Sequence, residues 1–99
     1  MKRFTFDALD DFEDFFSGTN NEVTDAIVAG IRTAVANKKK QADCFELGFD
    51  EDDNFFEVCL PQSEWPQALS ACMTKYEEAE RYDDVIDTFT LLKQVTDAL

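Results

Sequence analysis

Ninety-nine residues carry 22 acidic and 9 basic side chains and no histidine, for a formal net charge of −13 at pH 7. Binding nucleic acid by counterion release needs clustered Lys and Arg, as does binding an anionic membrane, so this chain is poorly suited to either. The lack of histidine removes Ser-His-Asp and Cys-His mechanisms, His-containing zinc sites and the imidazole pH switch.

An apolar fraction of 44% with ten Phe argues for a folded acidic chain and against intrinsic disorder. The length fits one domain, residues 1–99. No apolar run reaches the roughly 18 residues of a membrane span, and the start MKRFTFDALDDF lacks the uncharged apolar stretch of a signal peptide. Cys44, Cys59 and Cys72 are odd in number and lack C-x-x-C spacing, which suggests neither a disulfide framework nor a zinc ribbon. The expected location is the cytoplasm.

Phe6, Leu9, Phe12, Phe15 and Phe16 recur at helical spacing, with Asp7, Asp10, Asp11 and Asp14 opposite them, which predicts a short amphipathic helix over 6–16. Ser17 to Asn21 stop it. Asn20 or Asn21 can cap a second helix carrying Val23, Ile27, Val28, Ile31, Ala34 and Val35, and Lys38-Lys39-Lys40 follows near its negative C-terminal end.

From Cys44 the period becomes two. Phe45, Leu47 and Phe49 alternate with Cys44, Glu46 and Gly48, and Phe56, Val58 and Leu60 alternate with Phe55, Glu57 and Cys59. A hairpin with loop Glu51–Asn54 would oppose residue 50 to residue 55, Phe49 to Phe56, Leu47 to Val58 and Phe45 to Leu60. Pro61 ends the second strand. Ser63 resembles an N-cap for a third helix with Leu69, Cys72, Met73 and Tyr76. Tyr82, Val85, Ile86, Phe89, Leu92 and Val95 mark a fourth helical stretch. The stripe changes phase near Glu80-Arg81, so residues 64–97 are either one bent helix or a helical hairpin turning at Ala79–Arg81. Realignment of the faces on each side favours the hairpin. The expected fold is α+β, a small antiparallel β-hairpin or sheet covered by about four α-helices. Two strands alone are marginal in water, so a homodimer through the hairpin edge is a further expectation.

Asp50, Asp52 and Asn54 match positions 1, 3 and 5 of a calcium loop, but Phe55 stands at the position of the turn glycine and Pro61 at that of the bidentate Glu. A solvated hairpin loop is the better reading. Carboxylate pairs are too abundant to single out a catalytic acid and base. No Gly-rich phosphate loop is present, and carboxylates raise the pKa of nearby thiols. A non-enzymatic protein without cofactor or metal is expected. Cys44 and Cys59 are assigned to the second face of the hairpin and Cys72 to the inner face of the third helix, all as packing residues. Phe15-Phe16 and Phe55-Phe56 are adjacent pairs, so one member of each should be exposed or meet a partner. Trp65, Tyr76 and Tyr82 are candidate interface anchors.

The acidic faces are the strongest feature. Asp7, Asp10, Asp11 and Asp14 form one stripe; Asp83, Asp84 and Asp87 form another, preceded by Glu77, Glu78 and Glu80. Carboxylates about 5–6 Å apart along a helix approximate a row of phosphates. Residues 21–43 hold three acids and four bases, so the charge is polarised and not spread evenly.

The segment LSACMTKYEEAERYDDVIDTFTLLKQV, Leu69 to Val95, resembles the UVR-type helical hairpin of nucleotide-excision-repair proteins and some Clp-associated adaptors. Tyr82-Asp83 matches the aromatic and acid that open the second helix of that motif, and Val85, Ile86 and Leu92 match its apolar positions. The motif's Arg-Asp pair would fall on Phe89 and Thr90. This resemblance implies a helix pair used for protein contacts. In size, charge and compactness the chain is also similar to small acidic phage proteins that block host defence or transcription, among them DNA-mimicking anti-restriction and anti-CRISPR proteins. That resemblance implies inhibition by occupying a nucleic-acid site.

The expected partner is therefore a basic nucleic-acid-binding protein. The expected contacts are Asp7, Asp10, Asp11, Asp14, Trp65, Tyr76, Tyr82, Asp83, Asp84 and Asp87. The alternative is an adaptor that binds a transcription, replication or proteolysis complex through Tyr76, Tyr82 and Phe89.

Overall fold

The computed structural model describes residues 2–6, 10, 21–49 and 52–98. Their order is β1 (Lys2–Phe6), α1 (Glu22–Ala36), β2 (Gln41–Phe49), β3 (Asp52–Pro61), a 3-10 turn (Gln62–Glu64), α2 (Trp65–Glu78) and α3 (Tyr82–Ala98). The class is α+β. The described residues hold three helices where the periodicity suggests about four, and the sheet has three strands where it suggests two.

The third strand is β1. KRFTF alternates Phe4 and Phe6 with Arg3 and Thr5, and a run this short is masked by the helical spacing that begins at Phe6. Phe6 is therefore the last residue of a strand and not the first of a helix. Asp10 is helical and exposed; Asp7, Asp11 and Asp14 lie outside the described residues. β1 pairs parallel with β2, from Lys2 opposite Phe45 to Phe6 opposite Phe49, and β2 pairs antiparallel with β3. Parallel neighbours need a long crossover, and α1 lies within it.

The hairpin register differs from the expected one by two residues. Phe45 faces Val58, Leu47 faces Phe56 and Gly48 faces Phe55; the ladder is irregular at the next step, where Phe49 stands opposite Asp52 and two residues of β3 lie between the partners of Gly48 and Phe49. Asp52 to Asn54 thus belong to β3 and not to a loop. An even displacement leaves each side chain on its own face, so the apolar face of β2 survives the error. A bulge between Asp43 and Phe45 has a different effect. It turns Cys44 inward with Ala42 and Phe45, all three buried, while Asp43 and Cys59 stay outward and the Cys59 thiol donates to Asp43 Oδ1 at 3.3 Å. Cys44 and Cys59 are therefore not on one face.

The core lies between this sheet and the helices: Phe4 and Phe45 from the strands, Val23, Val28 and Ile31 from α1, Trp65, Leu69 and Cys72 from α2, and Leu91 and Val95 from α3. Phe4 meets Phe45 edge to face, with centroids 5.5 Å apart. α1 approaches β2 at Gly30, where a Cβ would stand 2.6 Å from the Asp43 carbonyl oxygen. Ser63 lies in the 3-10 turn, and the residue preceding α2 is Glu64, with Pro66 in the first turn of the helix. The Trp65 indole N–H donates to the Leu60 carbonyl at 2.9 Å, pinning α2 to the end of β3.

α1 and α2 end alike. Lys39 N–H reaches the Ala34 carbonyl at 2.9 Å and Arg81 N–H the Tyr76 carbonyl at 2.9 Å, with Lys38 (φ 57°) and Glu80 (φ 60°) in the left-handed region between helix and return bond. These are Schellman ends built without glycine. The second settles the question over residues 64–97: they form two helices turning at Ala79–Arg81.

Candidate functional site

α3 carries apolar residues on two sides, and only one side can face the core. Thr88, Leu91 and Val95 are buried and Val85 and Leu92 half-buried, whereas Tyr82, Ile86 and Phe89 are 59%, 63% and 49% exposed. The stripe read from the sequence mixed the two sides. At about 100° per residue, positions 82, 86 and 89 fall in one line along the helix. They form an apolar ridge in solvent, with the exposed Asp83 and Asp87 along one flank. Arg32 of α1 shares a hollow with Asp87 and Thr90 beside that flank.

An ionic knot fixes the ridge to the body. Arg81, in the turn before α3, places Nη2 3.0 Å from Asp25 Oδ1 and Nη1 3.3 Å from Asp25 Oδ2, while its Nε donates to Asp84 Oδ2 at 2.7 Å. Tyr76 O–H donates to Asp25 Oδ1 at 2.6 Å, and the guanidinium lies 4.7 Å from the Tyr76 ring centroid. Burial, reinforced by the Asp25 hydrogen bond, pushes the Tyr76 phenol well above its ordinary range; bonds to Asp25 and then Asp84 raise the Arg81 guanidinium. The knot joins α1, α2, the turn and α3.

This geometry separates the sequence candidates. Tyr82, Asp83 and Asp87 lie together on the outward side of α3. Asp84 is half-buried and paired with Arg81, so it serves the fold. Tyr76 is buried in the knot and Trp65 is buried at 2% exposure, so neither offers an anchor to a partner. Asp10 is exposed, and Asp7, Asp11 and Asp14 remain outside the described residues. In the sequence Ile86 stands out only as one apolar position of the fourth helical stretch, and neither Arg81 nor Asp25 stands out as a site residue. The signal for Ile86 was the second apolar line at 82, 86 and 89; for Arg81 it was an isolated base among acids at a helix junction.

Beyond α3, Glu77, Glu78 and Glu80 are exposed at the end of α2 and the turn, and these three with Asp83 and Asp87 have no ion-pair partner among the described residues. On the sheet's outer face the Phe55 ring covers Gly48 and Arg3 lies 3.9 Å above that ring while pairing with Glu46 at 2.7 Å. Both Phe55 (44%) and Phe56 (53%) are exposed, not one of the two.

A hollow of about 590 Å³ opens between α1 and the start of β2, lined by Asp25, Thr33, Lys39, Asp43 and Cys44 among others. Burial, then the neighbouring Cys59 and Asp43, push the Cys44 thiol up to about 11, so it is protonated at neutral pH and not activated as a nucleophile. Burial pushes Cys72 up to about 12. Among the described residues no cluster of three or more acids or thiols is arranged to hold a metal, and no helix is long and apolar enough to cross a membrane. Comparison with known protein families, curated proteins and solved structures returns no match.

Proposed function

We propose that this protein is a non-enzymatic interaction protein that occupies the basic nucleic-acid-binding surface of a larger partner, with α3 as its central contact. The observation that carries the reading is the outward side of α3, where Tyr82, Ile86 and Phe89 stand in solvent beside Asp83 and Asp87. Carboxylates in a row would meet lysines and arginines that otherwise hold phosphates, and the ridge would fill an apolar groove between them, as helix-in-groove complexes do. Glu77, Glu78 and Glu80 extend the charge past the turn. The mode of action would be that of a DNA-mimic inhibitor, as in phage counter-defence proteins.

The test is a pull-down from host lysate across a salt series, with identification of what is captured. A nucleic-acid-binding protein that is released by salt, competed off by duplex DNA and lost on charge reversal at Glu80, Asp83 and Asp87 is the expected result. A partner held equally at low and high salt and unaffected by the reversal would overturn it.

The ridge also favours a second reading, an adaptor whose helical hairpin docks through Tyr82, Ile86 and Phe89 while the acids serve solubility. Ile86→Ala with Phe89→Ala would then abolish capture and the charge reversal would leave it intact.

A further inference from the structure

The outermost strand β3 is ten residues long, and among the described residues only one of its sides pairs, with β2 in the order β1-β2-β3. An unpaired strand side presents N–H and C=O groups that can template another strand. Between Asp52 and Leu60 this edge has no Lys, Arg or Pro; its charges are the acids Asp52, Asp53 and Glu57, and its one irregularity against β2 lies at the Asp52 end. Its exposed side chains include Phe55 and Phe56, on opposite faces of the sheet.

We propose that β3 pairs antiparallel with β3 of a second copy about a two-fold axis at Phe56, joining two three-stranded sheets into one of six. The residue order of the strand selects both the occupant and the register. A two-fold axis perpendicular to the sheet keeps the helices of both copies on one side and passes through a single residue position. An axis at Glu57 opposes Glu57 to itself. An axis at Phe55 opposes Asp53 to Glu57. An axis at Val58 brings Pro61, which has no N–H, opposite Phe55 and leaves Asp52 to Asn54 unpaired. An axis at Phe56 opposes Phe56 to Phe56, Phe55 to Glu57 and Asn54 to Val58, and, through the irregular start of β3, brings Asp53 toward Cys59 and Asp52 toward Leu60. No acid then stands directly opposite another, and an aromatic pair sits at the centre. The strand is complementary to itself in this register, which is what an isologous contact requires.

Phe56 shares its face with Leu47 and Phe4, the face that carries the core, so the pairing extends the apolar layer of each copy into that of the other. With −13 on each chain, long-range repulsion opposes the association. Salt therefore strengthens this contact, the reverse of its effect on docking to a basic partner, and the two proposals stand or fall separately.

The test is sedimentation velocity on the full chain at rising protein and salt concentration, together with cysteine cross-linking in a Cys59→Ser background. The expected results are an apparent mass that doubles with concentration, more readily at high salt, and a return to monomer on Phe56→Asp. Under mild oxidation Phe56→Cys should give a covalent dimer, because residues opposed across a two-fold axis lie within about 4.5–5.5 Å, inside disulfide range. Val58→Cys, opposed to Asn54, should not. A monomer at every concentration and salt, a dimer indifferent to Phe56→Asp, or cross-linking as efficient at position 58 as at 56 would each overturn the proposal.

Discussion

Arg81 grips the carboxylate of Asp25 with both terminal guanidinium nitrogens, at 3.0 and 3.3 Å, across 56 residues of sequence. The same guanidinium holds Asp84, so one side chain sets where α3 begins relative to α1. Both partners are part-exposed, which weakens each pair, but the fork geometry and the Tyr76 hydroxyl make a network of four groups. Arg81→Met is expected to cost about 1–2 kcal/mol and Tyr76→Phe about 1 kcal/mol, with the double variant less than additive because both act on Asp25. Urea unfolding of the two singles and the double checks this; strict additivity would show that the network is not a unit.

Gly30→Ala tests the packing of α1 on β2. Alanine in a helix is favoured over glycine by about 1 kcal/mol, yet the added Cβ would lie 2.6 Å from the Asp43 oxygen and 3.1 Å from the Cys44 Cα, both backbone atoms that cannot swing away. Overpacking of this kind costs about 1–3 kcal/mol, so a net loss of stability is expected. Gly48→Ala meets only the ring of the exposed Phe55, which can rotate into solvent, and should cost less than Gly30→Ala. Thermal melts that rank the two the other way would contradict the close approach.

The buried thiols set an alkaline limit. In the unfolded chain a cysteine titrates near about 8.5, whereas in the fold Cys44 and Cys72 are pushed up to about 11 and about 12. As pH rises past the unfolded value the unfolded state loses protons that the native state keeps, so their contribution to stability is complete below about pH 8.5 and is lost progressively up to the folded values. Cys72→Ala and Cys44→Ala should each flatten the stability profile between those limits, whatever they cost at neutral pH. Denaturation curves at stepped alkaline pH provide the check.

Lys38→Gly and Glu80→Gly should stabilise. Each position holds a left-handed backbone that is costly for a residue with a Cβ, and each donates a backbone bond that glycine retains. Relief of the conformational cost, offset by glycine's greater freedom in the unfolded chain, leaves a gain of about 0.5–1 kcal/mol at each. The two sites follow the C-terminal ends of different helices, and their effects on the melting temperature should add.

Most elements were legible because their signals were long. The period-two alternation from Cys44 to Leu60 located both hairpin strands, and the phase change at Glu80-Arg81 located the helix junction. The register was not legible, since turn length decides it and the acids of 50–53 suit either a loop or a strand end. Bulging at Cys44 left no mark in the alternation but moved that thiol to the core. β1 was hidden because its partner lies far along the chain and its five residues run into a helical spacing. For the candidate site, charge and the aromatic positions of α3 were legible, but which of its two apolar lines faces inward is set by its packing on α2 and by the knot, and no local pattern reports that choice.

Parallel pairing of Lys2–Phe6 with β2 has a kinetic consequence. Arg3 meets Glu46 across 43 residues, so the pairing of β1 with β2 closes a longer loop than the β2–β3 hairpin does. The hairpin and the α2–α3 pair rest on neighbours in sequence and can assemble early. Docking of Phe4 on Phe45 is therefore expected to come late in folding, so Phe4→Leu should speed unfolding and leave the folding rate nearly unchanged.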